Sequence, residues 1–323
     1  MSFSFNNNHF FYRTLGEAMR REFGCNVWKV SVDAGLSCPN TGIIGEINKH
    51  NEINKYNGCI FCNINSFSPS RRLVNDKSIL TQIDKGIIQL KRHYPKAQKF
   101  IAYFQPSTNT NAPPEHLEII YNEALKHPEI VGLSIGTRPD SLPDDVLNLL
   151  SKISQEKYLQ LEIGLQSIHQ KSLDFLNRRH DYSTFTDAFY RAKKHNIKIG
   201  IHLILGIPTE NRNDIIETAK EIARLKPESI KLHNLYVVRN TQLENYWNNN
   251  NLTLPTINEY AEMTVDFLER IPPDIIIERI ASEASEDFII APEWSKIKHA
   301  ARNTINKLFL LRKSYQGKYY TNN

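Results

Sequence analysis

The sequence predicts an α/β fold on a parallel sheet, and two observations predict it. Short apolar or alternating runs bounded by turn residues recur from Val27 to Val237. Between most of them lie segments with helical spacing, so the order is strand, helix, strand, helix. That order implies parallel strands joined by right-handed crossovers, with helices covering the sheet.

Residues 1–26 are expected to form an N-terminal helical segment. Strands are expected at Val27–Asp33 (VWKVSVD), Lys99–Phe104 (KFIAYF), Ile130–Gly136 (IVGLSIG), Leu159–Leu165 (LQLEIGL), Lys198–Leu205 (KIGIHLIL) and Ser229–Val237 (SIKLHNLYV). Helical spacing marks Ile79–His93, Pro114–Lys126, Pro143–Ser151, Lys171–Leu176, Ser183–His195 and Asp214–Leu225. Six such units make three-quarters of an eight-fold barrel, a partial (β/α)6 TIM-like barrel, although a doubly wound sheet would give the same pattern. This core, residues 27–250, ends at the asparagine run Asn248–Asn251. Residues 251–323 form a C-terminal α/β extension: a helix at Ile257–Ile271, Pro272–Pro273, a seventh short strand at Ile275–Ile280 and a basic helix from Ser295 to Arg312.

Composition narrows the class. With 40% hydrophobic and 23% charged residues the chain is neither disordered nor fibrous. The N-terminus has no uninterrupted apolar region, and no stretch approaches the roughly 18 apolar residues a bilayer crossing needs, which predicts no membrane partner and a cytoplasmic location. The formal charge of +5 is concentrated: residues 294–323 carry seven Lys or Arg and no Asp or Glu, leaving 33 basic against 35 acidic residues elsewhere.

Four cysteines with one close pair argue for metal binding rather than a disulfide framework. Cys59 and Cys62 form C-I-F-C, and Cys38 lies upstream in L-S-C-P-N, all in the loop 34–66 that follows the first strand. The C-terminal ends of parallel strands are where such folds bind ligands. Three thiolates leave one iron of a four-iron cluster open, a position S-adenosylmethionine (SAM) can chelate through its amino and carboxylate groups. The alternative is a structural zinc completed by Cys25 or His50.

The motifs V-W-K-V-S-V-D-A-G-L-S-C-P-N and G-C-I-F-C-N resemble the YhcC/YtqA-like group of radical SAM proteins. The likeness continues through A-Y-F-Q-P-S-T-N-T, G-L-S-I-G-T-R-P-D, L-E-I-G-L-Q-S, H-L-I-L-G-I-P-T-E and A-P-E-W-S, over roughly residues 12 to 310. Several of these segments are also similar to the radical SAM domain of the Elongator catalytic subunit and to oxygen-independent coproporphyrinogen oxidase. The resemblance implies a [4Fe-4S] cluster on Cys38, Cys59 and Cys62, with SAM at the strand ends.

Further roles carry over one residue at a time. Tyr103, Phe104 and Gln105 stand where relatives place a Gly-Gly-Glu-like run against the methionine amino group; with no glycine or carboxylate here, backbone carbonyls would substitute. Glu162 and Gln166 match an Elongator-like L-E-x-G-x-Q-S and would supply polar contacts to ribose and carboxylate. Arg178 matches a SAM-contacting arginine of the coproporphyrinogen oxidase pattern, His202 stands where that same pattern has a ribose-binding aspartate, and Arg138 lies in the T-R-P-D shared with the Elongator-like group. Two departures remain: the 20-residue gap between Cys38 and Cys59, with its polar insertion Gly45–Asn57, and I-A-S-E-A-S-E near Glu283.

The implied reaction is reductive cleavage of SAM and abstraction of a hydrogen from a substrate over the barrel mouth, with an electron donor such as flavodoxin or ferredoxin. Cys25 alone cannot hold a second cluster, so sulfur insertion is not expected. The resemblance favours tRNA as substrate, specifically a modified wobble uridine. In the basic tail, Ile297, Ala301, Ile305, Leu308 and Phe309 would face the core, while Lys298, Arg302, Lys307, Arg312 and Lys313 stay outside to meet phosphates and Tyr315, Tyr319 and Tyr320 stack on bases. A small-molecule or peptide substrate, or a zinc-stabilised nucleic-acid-binding module without catalysis, are the alternatives.

Overall fold

The computed structural model describes residues 11–41, 58–66, 78–282 and 287–321. The insertion Gly45–Asn57, His50 and Glu283 lie outside the described residues.

Seven strands form one sheet, every neighbouring pair parallel: β1 (Val27–Val32), β2 (Lys99–Phe104), β3 (Ile130–Thr137), β4 (Tyr158–Gln166), β5 (Lys198–Leu205), β6 (Ser229–Asn234) and β8 (Ile276–Arg279), in that spatial order. Helix α1 (Leu15–Phe23) precedes the sheet. The crossovers carry α2 (Ile79–His93), α3 (Pro114–Leu125), α4 (Asp144–Glu156), α5 (Gln170–Phe175), α6 (Tyr182–Lys194) and α7 (Arg212–Leu225). A two-stranded antiparallel piece, β7 (Val237–Val238) with β9 (Ile289–Ala291), sits beside α8 (Gln242–Asn248), and α9 (Ile257–Leu268) packs against α10 (Ala300–Leu311). Among the described residues no helix is long and apolar enough to cross a membrane.

The elements start where local chemistry starts them. Asn211 and Asp214 form a capping box at α7, and Thr256 and Glu259 another at α9, each satisfying backbone N–H groups the helix cannot. Strand alternation then divides the side chains. Phe100, Ala102 and Phe104 point outward onto Leu117 and Tyr121 of α3, all fully buried; burial of each such large side chain contributes about 1.5–3 kcal/mol. Tyr103, between two of them, points inward, as do Lys29, Glu162, His202 and Lys231 on their strands. The half-barrel is therefore apolar between sheet and helices and polar inside.

Two expectations are corrected. The strand expected in the C-terminal extension, β8, joins the barrel sheet beside β6. The tail also differs: Ala301, Ile305 and Phe309 are buried and Leu308 partly so, but Ile297 is 64% exposed because it precedes the helix, which begins only at Ala300. Arg312 is not a free outward charge, since it pairs with Glu262, Asp266 and Glu269 on and beside α9. Gln316 Nε2 donates to the carbonyls of Pro272 and Ile275, just before β8, so the end of the chain packs at the N-terminal end of the sheet.

Candidate active site

At the opposite end, the C-terminal ends of the strands open into a cavity of about 1290 Å³ lined by Cys38, Cys59 and Cys62. That volume exceeds the roughly 300–1,000 Å³ that suits one small ligand. Cys38 follows β1, while Cys59 and Cys62 are placed by Ile60, whose N–H donates to Leu176 and whose carbonyl accepts from Leu243. Asn40 anchors the loop: its Nδ2 donates to the Asn177 carbonyl at 2.8 Å and to Cys59 Sγ at 3.2 Å. Arg178 Nη1 donates to the same sulfur at 3.3 Å while Nη2 holds the Gly164 carbonyl at 2.7 Å.

These contacts set the thiol chemistry. Burial works to raise the Cys59 pKa, but the guanidinium groups of Arg178 and Arg138 and the N–H donors of Arg178 and Asn40 outweigh it and lower the value. Cys62 is exposed to the cavity; desolvation by the surrounding protein, together with Cys59 and Cys38, pushes it up to about 12. Three thiols facing one cavity, one of them with a lowered pKa, suit a cationic iron–sulfur centre, which binds thiolates. Cys25 lies at the other end of β1, about 20 Å of extended chain away, and cannot complete a zinc site with them.

The cavity floor is a charged network. Glu162, fully buried, accepts from Lys29 Nζ, Ser134 Oγ, Lys231 Nζ and His202 Nε2, each at 2.5 Å. Glu278 accepts from Lys29 at 2.6 Å and, on its other oxygen, from Gln160 and Ser229. Burial alone would raise the Glu162 pKa, but Lys231, Lys29 and the His202 bond hold it well below the usual carboxylate range. Burial and Lys231 together lower His202. Lys231 Nζ also donates to Tyr103 Oη at 3.1 Å, and both lysines sit over the Tyr103 ring, at 4.5 and 5.1 Å. Gly200 makes room for this ladder: a Cβ there would lie 2.7 Å from both Gln160 Nε2 and Ser229 Oγ.

Of the residues singled out from sequence, Cys38, Cys59, Cys62, Tyr103, Gln105, Arg138, Glu162, Gln166, Arg178 and His202 all line this one cavity. Phe104 does not: it falls on the other side of the strand pleat, its ring packs edge-on against Tyr121, and its carbonyl accepts from Asn109 Nδ2. Glu162 lines the floor with both oxygens already occupied, so it fixes neighbouring cations. Arg138 forms a two-bond fork with Asp140 and donates to the Arg178 carbonyl. Gln166 ends β4 in the left-handed region, φ 75°, where the β4–β5 register shifts. Lys29, Lys231, Glu278 and Asn40 were not singled out; the signal for the first three was a charge inside an otherwise apolar strand run, which demands a buried partner.

Comparison with known proteins gives this geometry a family. Residues 56–222 match the Radical SAM superfamily and 227–309 the Radical_SAM C-terminal domain. The uncharacterized protein YtqA of Bacillus subtilis is 35% identical over 322 residues, 98% of this chain and 95% of its own. Protein YhcC of Escherichia coli is 32% identical over 282 residues, 87% of this chain and 86% of its own. The fold matches archaeal Methanocaldococcus infernus Elp3 with TM-score 0.69 at 18% identity, covering 90% of this chain and 64% of that one. Matched across more than half its length and aligned to YtqA nearly end to end, the chain belongs to the radical SAM superfamily of enzymes.

Proposed function

We propose that this enzyme holds a [4Fe-4S] cluster on Cys38, Cys59 and Cys62, binds SAM across the strand ends, and abstracts a hydrogen atom from a substrate above the floor. The observation that carries the reading is the convergence of three thiols, with two N–H donors on Cys59, at the mouth of one cavity. When bound at these three thiols, the cluster would supply one electron for the reductive cleavage of SAM.

The chain's own residues bind and orient. Arg178 Nε and Arg138 Nη1 are buried N–H groups without a partner, and both side chains line the cavity, which suits the methionine carboxylate of SAM. Gln105 and Gln166 offer amide groups to the amino and ribose ends. Glu162 serves SAM indirectly, by fixing His202 and Lys231. A one-electron donor of the flavodoxin or ferredoxin kind is the partner this reaction requires.

For substrate we favour a uridine of tRNA. A part of the chain is 29% identical, over 129 residues and 23% of that protein's length, to the tRNA uridine(34) acetyltransferase of Methanocaldococcus jannaschii. The end of the basic tail packs at the far end of the sheet, whereas its start, Ser295, accepts from Asn234 of the cavity lining. Anaerobic protein reduced with dithionite in the presence of SAM is expected to release 5′-deoxyadenosine, and tRNA lacking the modification to be altered; absence of 5′-deoxyadenosine overturns the catalytic reading. Failure of tRNA to bind at low salt overturns the substrate.

A further inference from the structure

One wall of the cavity carries positive charge that the floor does not neutralise. Among the described residues the ion pairs there join Lys29 and Lys231 to Glu162 and Glu278. Arg279, the residue after Glu278, also lines the cavity and takes part in none of them. The β6–β8 register shifts between Ile230 and Lys231, which sets Lys231 opposite Arg279 and lets consecutive Glu278 and Arg279 both reach the interior.

Beside this guanidinium stands His233. Its Nδ1 is tied to Ser282 Oγ at 2.6 Å, and its Nε2 is buried without a partner. A buried polar atom left open calls for a ligand. Burial, His202, Arg279 and Lys231 keep the ring neutral, and when Ser282 donates to Nδ1 the Nε2 atom carries the proton and becomes a donor. Tyr236 completes the wall. In that tautomer the wall presents a surplus cation and an unused N–H, the chemistry of an anion site. SAM does not need it, because Arg178 and Arg138, beside Cys59, are the groups assigned to its carboxylate.

We propose that Arg279 and His233, backed by Lys231, form a subsite for an oxyanion of the substrate, a carboxylate or a phosphate. The assignment rests on reading the cavity as the active site, and it names what that substrate must carry.

The test is calorimetric titration of the anaerobically reconstituted protein, with SAM bound and at low ionic strength, using inorganic phosphate and, separately, acetate. The wild type is expected to bind at least one of them. The dissociation constant is expected to rise at least about tenfold in Arg279→Leu, the factor a charge-assisted hydrogen bond contributes, and by a similar factor in His233→Phe, with Arg279→Lys between. Tighter phosphate identifies a phosphate-bearing substrate, tighter acetate a carboxylate. No anion binding to wild type, an unchanged constant in Arg279→Leu, or loss of SAM binding in that variant each overturn the subsite. Iron analysis of the same sample reports on the cluster separately, and a cluster-free chain still shows whether anion binding depends on Arg279.

Discussion

Lys29 on β1 and Glu278 on β8 meet at 2.6 Å although their strands are the two edges of the sheet. A flat seven-stranded sheet would hold them far apart, so the contact measures how strongly it curls. The chain reinforces the closure from outside: Ile277 donates to the Arg13 carbonyl, and residues 13–14 lead through α1 to β1. The partial barrel is thus closed by a side-chain bridge across its interior and by the N-terminal segment around its gap.

Removing Glu162, the second carboxylate that Lys29 bonds, should be costly. Glu162→Gln leaves Lys29 and Lys231 buried with one acceptor fewer, and breaking a buried ion pair from one side costs about 3–5 kcal/mol. Chemical denaturation of the variant and the wild type measures it.

The same carboxylate has a pH signature. Its folded pKa lies well below the ordinary 4.5, so its contribution is fully present above 4.5 and is lost as pH falls from there through the depressed folded value. The stability gap between wild type and Glu162→Gln should therefore be constant at neutral pH and narrow in acid. Denaturation midpoints from pH 7 to pH 3 would show it; a gap that widens in acid would contradict the assignment.

How much of this was legible beforehand follows from where the signal lies. Strand β5 was bounded at Lys198–Leu205 because KIGIHLIL is an apolar run between turn residues. The cysteine loop was legible because spacing alone groups thiols. The floor was legible only in part: Tyr103, Glu162 and His202 stood out, but Lys29, Lys231 and Glu278 did not, because they are far apart in sequence and only the curl brings them together. Strand β8 was expected, but its place in the sheet depends on pairing with β6, which no local pattern encodes. The tail misled because charge run and helix spacing say nothing of the acids on α9 that meet Arg312.

The sulfur of Cys59 offers a second test. Hydrogen bonds to cluster sulfurs and nearby positive charge raise the reduction potential. Asn40→Leu removes the 3.2 Å donor without removing a thiol, so the cluster should still assemble and its midpoint potential should fall. Potentiometric titration followed by electron paramagnetic resonance reads the shift.

The C-terminal extension is expected to fold with the barrel. Phe309 is fully buried and stacks on Phe11 at 5.2 Å. Phe309→Ala should lower stability by about 3–5 kcal/mol, in a single transition shared with the barrel; two separate transitions would contradict one continuous core.

The central claim is the cluster on Cys38, Cys59 and Cys62, and it is tested most directly by iron and zinc analysis of anaerobically purified protein, with electron paramagnetic resonance of the reduced sample before and after adding SAM. About four irons per chain, a signal that changes with SAM, and loss of both in Cys59→Ala but not Cys25→Ala is the expected result. Stoichiometric zinc without iron would contradict it.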